Sequence, residues 1–157
     1  MAIGTVIADR ALAGFPVAGM GGGGNVKVAW GTYNIGAAVA QNDVIQMCRT
    51  PKGATIIGGW VIGQDIDTGT ETLDFDAGYP TNGVDVADTD AWGNFGVVTG
   101  DVSGTQGEAG IFLNFQGVLA SGGPKTLSAE TTHQILFNAA AHAGGTGRLT
   151  MVVLYTV

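Results

Sequence analysis

The sequence predicts an all-β fold, a sandwich of about eight antiparallel strands preceded by an extended N-terminal arm. Short stretches of the chain alternate apolar and polar residues with the period of two that is typical of strands. The chain has 28 glycines among 157 residues, and glycine favours tight turns and weakens helix interiors. No segment sustains the 3.6-residue period of an amphipathic helix. A chain of this length, 45% hydrophobic, can bury a core without disulfides or a metal.

Residues 1–24 are predicted to form the arm rather than a part of the sandwich. They end in a run of four glycines, 21–24, which does not hold regular structure cheaply. The run is not a phosphate-binding loop, since no Lys-Ser/Thr pair and no helix follow it. The apolar side chains of the arm are expected to pack on their own domain or on a neighbouring subunit. They are Ile3, Val6, Ile7, Leu12 and Phe15.

Residues 25–157 are predicted to form the strands of one sandwich domain. The eight predicted strands are 26–30, 43–49, 55–62, 71–77, 95–99, 111–115, 132–139 and 148–157. Gly58 and Gly59, inside the third strand, indicate a bulge or a close backbone approach. Trp30 and Trp60 lie in strands and are expected in the core, whereas residues 78–92 are predicted to be a long polar loop that ends at Trp92. Eight short strands with long loops fit a jelly roll better than an open meander.

The charge of the chain limits its possible partners. Thirteen acidic and six basic residues give a formal charge of −7, and no basic cluster is present, which disfavours a nucleic-acid partner. No run approaches the roughly 18 apolar residues of a membrane span. Charged residues make up 12% of the chain, about half the usual ~25%. A surface this poor in charge favours an oligomer or an assembly in which a partner covers part of it.

The acidic loops are the first candidates for chemistry. Asp65, Asp67 and Glu71 are oxygen donors of the kind calcium prefers, but the full calcium-loop pattern is missing and a solvated turn is favoured. A second group, Asp85, Asp88 and Asp90 with Asp76 just before the loop, is compatible with a divalent cation or with the carboxylate pair of a glycosidase. Solubilising loop charge is the favoured interpretation, and no metal site is predicted.

Nucleophiles and histidines give no catalytic constellation, so no catalytic or cofactor-binding residue is predicted. His133 and His142 are nine residues apart, are expected at a strand edge and in a loop, and form no His-x-His pair. Ser103 and Ser121 lack the Gly-x-Ser-x-Gly setting of a hydrolase nucleophile. Cys48 is the single cysteine, which excludes an intrachain disulfide and predicts a buried, inert thiol.

Three stretches, in this order and spacing, resemble the head-stabilising (decoration, or cement) proteins of tailed bacteriophages. They are Asn42-Asp43-Val44-Ile45 leading into a strand that ends at Arg49, then Thr50-Pro51-Lys52-Gly53-Ala54 before a Val/Ile-rich strand, then Leu73-Asp74-Phe75-Asp76-Ala77-Gly78-Tyr79. The strand at 147–157 closes the pattern, so the resemblance covers about residues 26–157. The resemblance implies a jelly-roll domain, trimers on the capsid exterior and no catalytic activity.

The resulting hypothesis is a structural virion protein, made in the host cytoplasm, that decorates and stabilises the outer surface of a phage capsid. It would bind as a homotrimer across neighbouring copies of the major capsid protein. The predicted interface comprises the apolar arm residues named above together with Tyr79, Trp92 and Phe95. The alternative is a carbohydrate-binding jelly roll of a phage fibre or tail tip, which predicts an exposed Trp92 or Tyr79 beside the aspartates. A glycosidase acting through the aspartate loop is the third and least favoured hypothesis.

Overall fold

The computed structural model describes residues 5–7, 25–37, 39–64, 74–97, 111–117, 123–138 and 147–157. This part of the chain forms ten strands and no helix of membrane-spanning length. The strands are β1 (Thr5–Ile7), β2 (Lys27–Ile35), β3 (Val44–Thr50), β4 (Thr55–Gly63), β5 (Asp74–Tyr79), β6 (Asp88–Val97), β7 (Ile111–Asn114), β8 (Lys125–Thr126), β9 (Thr131–Phe137) and β10 (Gly147–Thr156).

The eight longer strands pair like one long hairpin that has been rolled up. β2 pairs with β10, β3 with β9, β4 with β7 and β5 with β6, all antiparallel. The result is two sheets, which we call the β2 sheet (β2-β10-β4-β7, with β8 on β4) and the β3 sheet (β1-β3-β9-β5-β6). This nested order is that of a jelly roll, so the predicted all-β sandwich is confirmed. The two strands beyond the predicted eight, β1 and β8, are only three and two residues long.

The core lies between the two sheets and follows the alternation of the strands. On β10, the inward side chains Leu149, Met151, Val153 and Tyr155 are fully buried, and the intervening residues are partly exposed. The sheets approach closely at Gly31, where a Cβ atom would overlap the carbonyl group of Met47 on the facing sheet. Glycine is therefore required at this point of β2.

The predicted loop at 78–92 is the main error of the sequence prediction. β5 extends to Tyr79 and β6 begins at Asp88, so the loop spans only residues 80–87 and Trp92 lies inside a strand. β6 was missed in part because Asp88 and Asp90 are unfavourable strand residues. They are tolerated here because β6 is an edge strand, and their side chains keep contact with solvent.

Candidate interaction surface

The outer face of the β2 sheet is apolar. Val28, Trp30, Ile62 and Phe112 are exposed on it, Phe112 to 59%. The register places the partly exposed Val152 of β10 directly between Trp30 of β2 and Trp60 of β4. Since cross-strand partners lie on the same face of a sheet, these residues form one continuous surface. Among the described residues, the only charged side chain in the outward positions of its strands is Arg148, at one end.

The two tryptophans on this face were expected in the core. That prediction is wrong for Trp30, whose side chain is 43% exposed. Trp60 is only partly buried, and its ring stacks on that of the exposed Phe112, with 6.1 Å between centroids and 26° between planes. Alternation could not reveal this, because β2 and β4 carry apolar or small residues on both faces. The sequence feature that pointed to an apolar surface was the low proportion of charged residues in the chain.

A shallow groove of about 300 Å³ crosses this face between β10, β4 and β7. Its lining includes Ile57, Gly58, Trp60, Asn114 and Leu154. It forms where the pairing of β10 with β4 shifts: Leu154 is opposite Gly58, but the next residue of β10 is opposite Ile56, which leaves Ile57 as the extra residue of a bulge. The bulge predicted at the two glycines is thereby confirmed.

The two glycines of the bulge have opposite surroundings. A Cβ atom on Gly58 would meet no atom within 4 Å, so this residue opens onto the groove. A Cβ atom on Gly59 would overlap the carbonyl oxygen of Val152 and the ring of Phe115. Gly59 is thus required by the close approach, whereas Gly58 leaves space at the surface.

The loop at 80–87 is the second exposed apolar feature, and hydrogen bonds hold its backbone. Asn82 Oδ1 accepts from the backbone N–H groups of Val84 (3.0 Å) and Asp85 (2.7 Å), and Asn82 Nδ2 donates to Asp85 Oδ2 (2.7 Å). Asp85 Oδ2 also accepts from the N–H of Ser128 (2.8 Å). The bonds from Asn82 and Ser128 lower the pKa of Asp85. Held in this way, the loop exposes Val84 to 68% and Val86 to 84%.

The predicted interface residues of this region lie inside the sandwich. Trp92 is 0% and Tyr79 1% exposed, and the Trp92 ring stacks on Phe115 with 5.8 Å between centroids. Phe95 is partly buried, with its ring 5.5 Å from that of Phe75. Neither Trp92 nor Tyr79 offers a surface to a partner in this conformation. The exposed aromatic residue that the carbohydrate-binding alternative predicted at these two positions is therefore contradicted.

The predicted interface residues of the arm are described only in part. Val6 and Ile7 belong to β1, whose backbone pairs in parallel with β3: Val6 is opposite Ile45, and Ile7 is opposite Gln46. Ile3, Leu12 and Phe15 lie outside the described residues. The arm is thus joined to the edge of the β3 sheet by three residues.

His133 is a core residue and not the strand-edge histidine that was expected. β9 lies between β3 and β5, and the His133 ring is fully buried. Its Nδ1 accepts a hydrogen bond from Trp92 Nε1 at 3.1 Å. An indole N–H can only donate, so Nδ1 carries no proton and Nε2–H donates to Thr50 Oγ1 at 2.9 Å. Burial lowers the pKa of His133 to about 3, which keeps the ring neutral.

Cys48, opposite His133 on β3, is buried as predicted. Burial raises the pKa of its thiol well above the usual range. The predicted burial of Cys48 is confirmed, and a thiol that does not ionise is a poor nucleophile, as the prediction of an inert cysteine requires.

The described aspartates lie in different surroundings: Asp85 and Asp88 make separate contacts, whereas the charges of Asp74 and Asp90 act on Asp76. Asp85 holds the 80–87 loop, and Asp88 accepts from Lys125 Nζ at 3.0 Å. Asp76, on β5, is 7% exposed, and its Oδ1 has no hydrogen-bond partner. Burial raises the pKa of Asp76, and the charges of Asp90 and Asp74 act in the same direction against a hydrogen bond from Asn138.

Within the described ranges, no group of three or more His, Cys, Asp or Glu side chains is arranged to hold a metal ion. The remaining candidates for chemistry lie outside the described residues: Asp65, Asp67, Glu71, Ser103, Ser121 and His142.

Comparison with known proteins relates this chain to phage capsids at the level of the fold. No family model matches the chain, and no curated protein sequence matches it. A chain of the cyanophage Pam1 capsid asymmetric unit is 21% identical, with a TM-score of 0.64 over 95% of this chain and 96% of that one. A chain of the Ralstonia phage GP4 capsid is 17% identical, with a TM-score of 0.71 over 98% and 97%. A chain of the acid-stable capsid of Helicobacter pylori bacteriophage KHP30 is 11% identical, with a TM-score of 0.54 over 85% and 89%. The chain thus shares its jelly-roll fold with chains from the capsids of three bacteriophages.

Proposed function

We propose that this protein is a structural virion protein that decorates and stabilises a bacteriophage capsid, binding as an oligomer across neighbouring capsid subunits. The observation that carries the proposal is the likeness in fold to chains of the Pam1 and GP4 capsids, which extends over at least 95% of both partners in each comparison. The likeness extends over nearly the whole of this chain and is not confined to one segment of it.

The apolar outer face of the β2 sheet supports the oligomer. A soluble monomer keeps its exposed apolar patches small, but this face places Trp30, Ile62 and Phe112 together with no described carboxylate among them. In the proposal, such strand faces form the contacts of a homotrimer. The described carboxylates lie instead on the β3 sheet and in loops.

The arm is proposed to attach the oligomer to the major capsid protein. β1 adds only three residues to the edge of the β3 sheet, and an edge strand is a ready site for pairing with another chain. Stabilisation follows from mass action: a protein that binds only the assembled shell stabilises it by about 2.7 kcal/mol per site at a free concentration 100 times its Kd. No catalytic step is needed.

The proposal is tested by adding the purified protein to capsids that lack it and measuring the temperature at which the shells rupture. We expect the rupture temperature to rise as protein is added and to level off once every binding site on the capsid holds an oligomer. A chain shortened by residues 2–24 is expected to remain folded and oligomeric but to bind capsids more weakly. Failure of the full-length protein to bind capsids would overturn the proposed function. Equal binding by the shortened chain would overturn only the role of the arm.

A further inference from the structure

The described surface has two compact apolar features, the groove on the outer face of the β2 sheet and the loop at 80–87. We propose that they are the two halves of one contact: the loop of one copy docks in the groove of a second copy. This inference rests on the self-association included in the proposed function, and it names the surfaces that meet.

The loop has the properties of a docking element. Its two valines, Val84 and Val86, are among the most exposed apolar residues that the structure describes. Four hydrogen bonds that involve the side chains of Asn82 and Asp85 hold the backbone that presents them. A segment that is ordered before it binds loses little conformational entropy on docking.

The charge of the loop does not oppose burial in an apolar groove. Asp85 is its only charged residue, and the carboxylate of Asp85 already accepts hydrogen bonds from Asn82 and Ser128 within its own chain. The side chains offered at the tip are therefore two valines with no unpaired charge between them. An unpaired charge there would make docking costly.

The groove matches this element in chemistry and in access. Ile57, Trp60 and Leu154 supply apolar walls, and the space of about 300 Å³ is open beside Gly58 because that residue has no side chain. The stacked ring of Phe112 extends the apolar surface along one side. An aliphatic loop that enters the groove removes apolar surface of both partners from water.

A second copy is the occupant that accounts for both features at once. In a contact between identical faces, the groove of each copy would meet the other groove, and both loops would stay exposed. A contact between loop and groove joins different surfaces, and such a heterologous contact closes a ring when its rotation permits. One repeated contact then covers every groove and every loop, and the closed ring is compatible with the trimer of the proposed function.

The first test places a charge on each half of the contact and measures molar mass by light scattering. Val84→Asp with Val86→Asp alters the loop, and Gly58→Glu alters the groove, where a new Cβ atom meets nothing within 4 Å of its own chain. The matched controls are Val157→Asp, at another exposed valine, and Gly36→Glu, at a glycine whose Cβ position is equally open. We expect both test variants to shift the mass from the oligomer towards the single chain of 15.8 kDa, with unchanged circular dichroism. The controls keep the mass of the unmodified protein.

The second test is a cross-link. Gly58→Cys and Val86→Cys in one chain are expected to form disulfides between copies on mild oxidation, and each single variant is not. Cys48 does not compete, because it is buried. Dimers from Gly58→Cys alone would show a contact between identical faces and would overturn the docking.

The outcomes separate this inference from the proposed function. An oligomer that persists in the Val84/Val86 and Gly58 variants would overturn the docking but leave self-association intact. A single-chain mass for the unmodified protein would overturn the docking and the homotrimer together. Capsid attachment is measured independently by the shell-rupture assay.

Discussion

Trp92 Nε1 donates a hydrogen bond to His133 Nδ1 over 3.1 Å, although the two residues are 41 positions apart and neither is exposed. Their strands are not neighbours, because β5 lies between β6 and β9 in the β3 sheet. The bond therefore crosses over an intervening strand within the core. Together with Thr50, it satisfies both nitrogens of a buried imidazole, which is the condition for holding a polar ring in an apolar interior.

Acid is expected to destabilise the protein through His133. Its pKa is about 3 in the folded chain and roughly 6.5 when unfolded, so the unfolded chain binds more protons between these values. The stability that the neutral ring contributes is fully present above pH 6.5 and is lost as the pH falls towards 3, by up to about 1.4 kcal/mol per pH unit. Urea unfolding at pH 7.5, 6.5, 5.5 and 5.0 measures this slope above the range in which ordinary carboxylates titrate.

The slope is assigned to His133 by comparing variants and by NMR. His142→Gln is expected to retain it, because the chain has only these two histidines, and His133→Gln is expected to flatten it. The ring resonances of His133 in the folded protein are expected to show the neutral Nε2–H form down to pH 5. A His133 that titrates near pH 6.5 while the protein stays folded would contradict the buried, neutral assignment.

Thr50→Val is expected to destabilise the protein by about 1–3 kcal/mol, because it leaves the buried Nε2–H of His133 without an acceptor. The matched control is Thr55→Val, which removes an exposed hydroxyl pair with Thr126 at 2.8 Å and is expected to change stability by no more than about 0.5 kcal/mol. Chemical denaturation of both variants gives the difference. An equal loss of stability in both variants would mean that the buried Thr50–His133 hydrogen bond contributes no more than the exposed Thr55–Thr126 bond.

Gly59→Ala and Gly58→Ala, at neighbouring positions of one strand, are expected to differ in their effect on stability. A methyl group on Gly59 overlaps the Val152 carbonyl oxygen and the Phe115 ring, and overpacking of this kind costs roughly 1–3 kcal/mol. At Gly58 the methyl group enters open space, so the variant is expected to be neutral or slightly stabilising, since alanine restricts the unfolded chain. The melting temperatures of the two variants test the geometry of the bulge. A destabilised Gly58→Ala together with a neutral Gly59→Ala would contradict the assignment of Gly58 to the open side and Gly59 to the crowded side.

Asp76→Asn is expected to stabilise the protein at pH 7 by about 1 kcal/mol or more, since it removes a buried charge that has an unpartnered oxygen. The folded pKa of Asp76 is raised, mainly by burial, so acidification neutralises the wild-type side chain before that of an ordinary aspartate. The gain in stability of Asp76→Asn over the wild type is present above the pKa of Asp76 in the folded protein. It shrinks as the pH falls through that pKa. Melting curves at pH 7 and pH 4 measure this change. Asp88→Asn, at a partly exposed carboxylate that pairs with Lys125, serves as the control and is expected to have a smaller effect.

Individual strands could be predicted from the sequence where apolar residues alternate with polar ones, or where large apolar residues recur at every second position. β3, β9 and β10 were predicted within about two residues of their observed bounds. β6 was not, because Asp88 and Asp90 resemble loop residues unless the strand is known to lie at a sheet edge. Edge position depends on which strands pair at long range, and local patterns contain no such information.

The candidate surface was less predictable than the fold. The low charge of the chain indicated that some surface is covered, but Trp30 and Trp60 were expected in the core, because apolar alternation is the same for an inward and an outward face. The groove depends on the register between Leu154 and Gly58, a relationship between strands about a hundred residues apart. The glycine pair indicated a bulge there without indicating that it opens to the exterior.

The rolled-hairpin topology also determines when the sheets can form during synthesis. β10, the last strand described, lies between β2 and β4 and pairs with both, so the β2 sheet cannot assemble until its final strand has been translated. Pairings this distant in sequence give a high contact order and slow folding. Until β10 arrives, β2 and β4 have exposed backbone edges and apolar residues on both faces, a state prone to aggregation. A nascent chain of this protein is therefore expected to depend on chaperones most strongly just before its last ten strand residues leave the ribosome.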